Sequence, residues 1–360
     1  MHSHAFPLLL ASFLSLTIPS VAPARTPDAF DTLALPDGAG TATSPETWQP
    51  RRKTIFAGME AIMGKLPGAE KRVPLEVKVE EETDCGTYVR RLITYTSEPG
   101  CRTPAYLCIP KAALAGKKVP GVLCLHPTEN TIGHKVVVGL GGKPNRQYAV
   151  ELAELGYVTI APSYPLLANY QPDLKALGWE SGTLKAVWDN IRALDVLDSL
   201  DFVKHGKYGA IGHSLGGHNA VYTAVFDPRI QVIVSSCGLD SYRDYYGGNP
   251  AHWTPEKGWC QTRYMLRLAQ YQGRLTEIPF DFPELIAALA PRHVFINAPL
   301  RDSNFKWDSV DRVAKAAAQV YALHGADARA NLTVEHPDCD HDFPDDMRQK
   351  ASALMAKVLQ

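Results

Sequence analysis

Gly212-His213-Ser214-Leu215-Gly216 constrains this chain more than any other stretch. It fits Gly-x-Ser-x-Gly, the pattern of a serine carried on a sharp turn between a strand and a helix. The context agrees. Lys207–Ile211 reads as a short strand before it, and residues 217–225 read as a helix opening after it. Side chains at the two flanking glycines would collide with the neighbouring strand and helix, which is why glycine stands there. The partial positive charge of a helix N-terminus favours negative charge developing near the serine. A bare pentapeptide of this kind also arises by chance in glycine-rich loops, so the partners below carry equal weight.

At 360 residues the chain has room for one large α/β domain. With 45% hydrophobic and 21% charged residues, its composition is globular. The net charge of -1, without blocks of like charge, gives no sign of a nucleic-acid partner or of binding to an anionic membrane. Pro7–Val21 holds an apolar run too short to span a bilayer, followed by Ala22-Pro23-Ala24, so residues 1–24 read as a cleaved signal peptide. His2 and His4 stand where such a leader usually carries Lys or Arg. Export would permit disulfides among the seven cysteines, and Cys85 and Cys101, which bracket a strand candidate, can be bridged on this reading. Cys124 and Cys237 lie in or at the end of apolar strands and read as buried thiols. No cysteine spacing resembles a zinc site.

Residues 25–72 read as an N-terminal arm, with a helix near Ile55–Leu66. Val73–Val79, Tyr88–Thr96 and Ala105–Ile109 predict antiparallel strands. From Val119 onward, strands and helices alternate: strands at 119–126, 158–161, 207–211, 230–236, 292–298 and 331–335, helices at 146–155, 183–199, 309–323 and 347–359. That alternation predicts a mostly parallel sheet covered by helices on both faces, over 73–360. Residues 239–290, rich in Tyr and Trp, interrupt it as an insertion.

A serine hydroxyl needs a base to take its proton and an acid to orient that base. His341 lies in the loop between the last strand and the closing helix; Asp302 lies in the loop after the preceding strand. Both loops fall at the carboxyl ends of their strands, on the rim that carries Ser214. Asp240, Asp308 and Asp311 are rivals for the acid, and Asp302 also reads as a loop-capping residue. Asp338, Asp340, His341 and Asp342 admit a metal-cluster reading, which the missing second histidine disfavours. The oxyanion donors expected are the N–H of Leu215 and, because Pro127 has none, Thr128. Tyr164, His126, Trp253 and Tyr246 are candidate substrate-binding residues.

These motifs resemble the α/β-hydrolase superfamily, and within it the dienelactone hydrolase, acetyl xylan esterase and prolyl oligopeptidase-like group. The resemblance rests on Leu125-His126-Pro127-Thr128, Gly156–Pro162, Gly212–Gly217, Asp302-Ser303-Asn304-Phe305 and Asp340-His341-Asp342-Phe343. It implies an α/β-hydrolase fold over roughly 73–360 and a triad of Ser214, His341 and Asp302. It further implies a secreted or periplasmic serine hydrolase of carboxylic esters, without metal or organic cofactor. The substrate expected is a small-molecule or polysaccharide ester, such as acetylated or feruloylated polysaccharide. A serine peptidase, a lactone hydrolase and a non-catalytic binding protein on the same fold are the alternatives.

Overall fold

The computed structural model describes Met1 and residues 30–360, so the expected signal peptide lies outside the described residues. The strands are β1 (Lys78–Asp84), β2 (Tyr88–Glu98), β3 (Cys101–Pro110), β4 (Val119–Leu125), β5 (Val158–Pro162), β6 (Val203–His213), β7 (Ile230–Ser236), β8 (His293–Asn297) and β9 (Leu332–Glu335). They form one sheet in the order β1-β2-β3-β5-β4-β6-β7-β8-β9. The first three make an antiparallel meander, β3 pairs antiparallel with β5, and every later pairing is parallel. The central strands are apolar runs such as Val119-Pro-Gly-Val-Leu-Cys-Leu125, buried along their whole length, as strands covered on both faces must be.

The two faces carry separate cores. On one side Ile55, Leu184, Leu215, Leu285 and Val313 belong to helices Gln49–Met63, Gly182–Asp198, Leu215–Phe226, Phe282–Ala287 and Trp307–Leu323. On the other, Tyr148, Leu152, Met347 and Met355 come from helices Tyr148–Glu154 and Asp345–Leu359. This is the expected α/β-hydrolase architecture. Part of the arm is tied down by buried hydrogen bonds. Thr32 Oγ1 donates to the Ala316 carbonyl at 2.7 Å, and Trp48 Nε1 donates to the Thr32 carbonyl at 2.9 Å. Between β7 and β8, residues 239–290 run as short 3₁₀ turns closed by helix Phe282–Ala287. Asp281 and Glu284 cap that helix reciprocally. No helix among the described residues is long and apolar enough to cross a membrane.

Two expectations fail. The first strand runs over Lys78–Asp84 rather than Val73–Val79. Glu76 adopts a left-handed φ of 44°, which breaks the extended run there. The strand itself is exposed throughout and mostly acidic, the composition that protects a sheet edge. The Cys85–Cys101 bridge is also excluded, since all seven cysteines are free. The eleven residues of β2 separate the two, and at about 3.3 Å per residue they stand far beyond the ~7 Å Cα separation a disulfide tolerates.

Candidate active site

β6 ends at His213 and a helix starts at Leu215, leaving Ser214 alone on the turn at φ 55°, ψ -121°. That conformation is costly for a residue with a side chain, and the surroundings enforce it. Ser214 N–H donates to the Ser236 carbonyl at 2.7 Å, and His218 N–H donates to the Ser214 carbonyl at 3.0 Å. The neighbouring glycines are sterically obligatory. A Cβ on Gly212 would lie 2.2 Å from the Gly216 carbonyl carbon, and one on Gly216 would lie 2.0 Å from the Leu125 oxygen.

The other two residues of the expected triad meet. Asp302 Oδ2 lies 2.9 Å from His341 Nδ1, with the carboxylate buried and the imidazole partly exposed. Oδ1 of the same carboxylate accepts the N–H groups of Asn304 and Phe305. Asp240 is buried beside the same loop and accepts the Lys306 N–H at 3.2 Å; it makes no bond to His341. The His341 ring packs on His213 at a centroid distance of 4.7 Å, which sets it beside the elbow. Ser214 Oγ makes no hydrogen bond among the described residues. In free enzymes the nucleophile–base bond is often long and tightens only on substrate.

Four residues that sequence reasoning missed hold the histidine loop. Arg146 Nη1 contacts Asp342 Oδ1 at 2.5 Å, and its Nη2 donates to the His341 carbonyl. Asn145 Nδ2 donates to Asp342 Oδ2 at 2.7 Å. Asn297 Nδ2 and the Cys237 thiol both donate to the Asp342 carbonyl, at 2.9 and 3.2 Å. Partial burial works to raise the Asp342 pKa, but the Arg146 and Asn145 hydrogen bonds overcome it and hold the carboxyl below the usual carboxylate range. Asp338 and Asp340 both pair with Arg301, so the carboxylates of the imagined metal cluster already have cationic partners. Among the described residues, His213, Cys237 and His341 place possible ligand atoms within 4.8 Å of one another. His341 and Cys237 are engaged with Asp302 and the Asp342 carbonyl, so the trio serves as packing around the imidazole.

A cavity of about 290 Å³ opens at Ser214 and Leu215, lined also by Thr128, Tyr245, Tyr246, Trp259, Arg263, Tyr264 and Phe305. Leu215 is the first residue of its helix, so its N–H has no acceptor within the helix. Thr128 Oγ1 lies 3.0 Å from the Tyr264 hydroxyl, which fixes the second expected donor against the insertion. Tyr246, a third exposed, donates from its hydroxyl to Asn304 Oδ1.

The remaining candidates lie elsewhere. Tyr164 is buried, and its hydroxyl donates to the Arg263 carbonyl at 2.9 Å; it supports the pocket wall rather than the rim. His126 Nε2 accepts the Tyr164 N–H, which puts its proton on Nδ1, donating to the Pro127 carbonyl. Burial pushes its pKa down to about 4. Trp253 is fully buried, edge-on to Tyr242 and Tyr245, so no ligand in the cavity can reach it. Trp259 lines the cavity instead and stacks on His218 at 4.0 Å. Composition marked the insertion as aromatic, but nothing in it separated the ring that lines the cavity from the ring that fills the core.

Comparison with known proteins agrees with the expected resemblance. A family model described as "Glucuronyl esterase, fungi" matches residues 177–325, a span that holds Ser214, the insertion and Asp302 and stops before His341. The putative hydrolase YtaP of Bacillus subtilis is 25% identical over 298 residues, covering 77% of this chain and 88% of its own. A glucuronoyl esterase from Solibacter usitatus superimposes with a TM-score of 0.74 at 20% identity, covering 93% of this chain and 98% of its own. A putative acetyl xylan esterase from Bacteroides fragilis superimposes with a TM-score of 0.58 at 20% identity, covering 81% of this chain and 76% of its own. The shared fold is that of these two structures, and both carry esterase names, in line with the reaction class the sequence predicts.

Proposed function

We propose that this chain is a serine hydrolase of carboxylic esters and that its substrate is a carbohydrate ester. Ser214 attacks the ester carbonyl while His341 takes the hydroxyl proton on Nε2. Asp302 holds the Nδ1 proton, which fixes the tautomer and stabilises the imidazolium. The N–H of Leu215 and Thr128 hold the oxyanion as it forms. Collapse expels the alcohol, protonated by His341, and leaves an acyl group on Ser214. His341 then activates water to release the acid.

The observation that carries this reading is the 2.9 Å Asp302–His341 contact, packed through His213 against a strained serine that opens into a cavity. The carbohydrate part rests on the cavity's lining of rings and polar groups, Tyr246, Trp259 and Tyr264 among them, and on the names of the relatives. The apolar N-terminal segment supports a secreted or periplasmic location.

The purified protein is to be assayed on 4-nitrophenyl acetate, on acetylated xylan and on an alkyl ester of glucuronic acid, with Ser214→Ala beside it. Turnover of at least one carbohydrate ester is expected, lost by a thousandfold or more in Ser214→Ala. Equal rates for the two proteins would sink the hydrolase assignment. Turnover of the aryl ester alone would remove the carbohydrate part.

A further inference from the structure

We infer that the cavity beside Ser214 takes an ester whose parent molecule also carries a free carboxylate, and that Arg263 is the residue that reads it. The inference rests on the esterase reading above and names a substrate class within it.

Arg263 lines the cavity, and among the described residues no Asp or Glu does. Its guanidinium has no ion-pair partner among the described residues. Nε donates to Gln261 Oε1 at 2.8 Å and Nη1 to Asn130 Oδ1 at 2.7 Å, both neutral amide oxygens. A guanidinium has five N–H donors, so these two bonds leave three, including both on Nη2. A permanently charged group in a recess without a counter-ion favours an anionic ligand.

The side chain is also held in place. Its Cζ lies over the Tyr264 ring, 5.2 Å from the centroid. Its backbone is clamped to the helix that starts at Gly182. The Tyr164 hydroxyl donates to the Arg263 carbonyl, and the N–H groups of Gly182 and Thr183 donate to the carbonyls of Thr262 and Tyr264. A Cβ on Gly182 would sit 2.2 Å from the Arg263 carbonyl oxygen, so glycine is required for that approach. Tyr264, the next residue, bonds Thr128. The free N–H groups therefore stand on a fixed segment whose next residue bonds the expected oxyanion threonine. A planar carboxylate takes two parallel N–H bonds from a guanidinium, whereas a sugar hydroxyl takes one weaker bond. The carboxylate has two chemical sources: a uronate residue next to the ester, or the far end of a dicarboxylic acyl group.

Binding to Ser214→Ala, measured by calorimetry, tests this without turnover. The probes are digalacturonate, its fully methyl-esterified neutral counterpart, and glutarate. At least one of the two carboxylates is expected to bind tenfold or more tighter than the neutral disaccharide, with the advantage shrinking as NaCl is raised. Digalacturonate as the better ligand assigns the carboxylate to the sugar side, and glutarate to the acyl side. Adding Arg263→Met should abolish the advantage, and Arg263→Lys should keep part of it. Failure of both carboxylates to bind, equal binding of charged and neutral probes, or an advantage that survives Arg263→Met overturns the inference. Labelling of the wild-type protein at Ser214 by a fluorophosphonate tests the hydrolase reading separately. A protein that labels but ignores carboxylates loses this inference alone.

Discussion

Asp302 divides its carboxylate between two tasks: Oδ2 faces His341 Nδ1 at 2.9 Å, and Oδ1 accepts the N–H groups of Asn304 and Phe305. The loop-capping and catalytic readings of this aspartate are therefore compatible. The division makes two substitutions separable. Asp302→Asn keeps an oxygen for the cap but turns an N–H₂ toward His341, which then holds its proton on Nε2 and cannot act as a base. Its kcat should fall by about 10⁴ with little change in melting temperature. Asp302→Ala should lose both activity and stability. Asp240→Asn, at a carboxylate bonded to Lys306 N–H instead, should keep far more activity. An active Asp302→Asn enzyme beside a crippled Asp240→Asn enzyme would reverse the assignment.

Arg146 reaches the catalytic loop from a different part of the chain, 195 positions before His341, and grips both the Asp342 carboxylate and the His341 carbonyl. Arg146→Met should lower kcat tenfold or more without touching substrate, because the imidazole loses its fixed position. It should also destabilise the fold in a pH-dependent way. The Asp342 pKa is depressed in the native state, so its contribution is present above the unfolded carboxylate range and is lost as pH falls through the lower native value. The stability gap between wild type and Arg146→Met is expected to be wide at pH 7 and to narrow at pH 3. A gap that holds constant across that interval would show that the ion pair is not its origin.

The elbow, its strand and its helix were legible because three constraints coincide on a few adjacent residues: two obligatory glycines, an apolar strand and a helix start. The loops of Asp302 and His341 were legible from strand order alone. The pocket was not. Arg146 and Asn145 act on Asp342 across almost two hundred residues, and Arg263 enters from an insertion of short 3₁₀ turns whose path has no periodic signal. Trp253 and Trp259 are close in sequence, yet one is core and the other lines the cavity, a distinction set by tertiary packing. The first strand was misplaced because the apolar alternation of 73–79 outweighed the acidic residues that form the sheet edge.

Steric need for glycine is testable at two sites in the same strand–helix unit. Gly216→Ala would place its Cβ 2.0 Å from the Leu125 carbonyl oxygen, a backbone atom that cannot swing aside. Gly209→Ala would meet side-chain methyls, those of Leu359 and Met355 at 3.3 Å and of Val122 at 3.4 Å, and no backbone atom so close. Overpacking costs typically about 1–3 kcal/mol, and the backbone clash at Gly216 should reach or exceed the top of that range. Thermal unfolding should show a much larger loss for Gly216→Ala than for Gly209→Ala. Similar melting temperatures for the two variants would contradict the clash argument.

Four buried histidines make the native state sensitive to mild acid. Burial pushes His126 down to about 4 and His134 and His218 down to about 3, and it also drives His213 well below the ordinary value. His218 shows the cause most clearly. Its ring is sandwiched between Trp259 and Tyr222, at 4.0 and 4.4 Å, and neither nitrogen has a hydrogen-bond partner among the described residues. A proton there would be a desolvated charge among aromatic rings. Below about pH 6.5 the unfolded chain protonates these residues while the native protein leaves them neutral, so stability falls as pH drops from that value toward the native pKa. Each such histidine steepens the loss by up to roughly 1.4 kcal/mol per pH unit. Unfolding free energies from urea titrations should be level between pH 8 and 7 and decline increasingly steeply from 6.5 to 5. His218→Phe keeps a ring in the sandwich and removes one titrating site, so its slope below pH 6 should be shallower by about one proton. Stability that stays flat down to pH 5, or a His218→Phe slope equal to that of the wild type, would show that these histidines do not control the acid response.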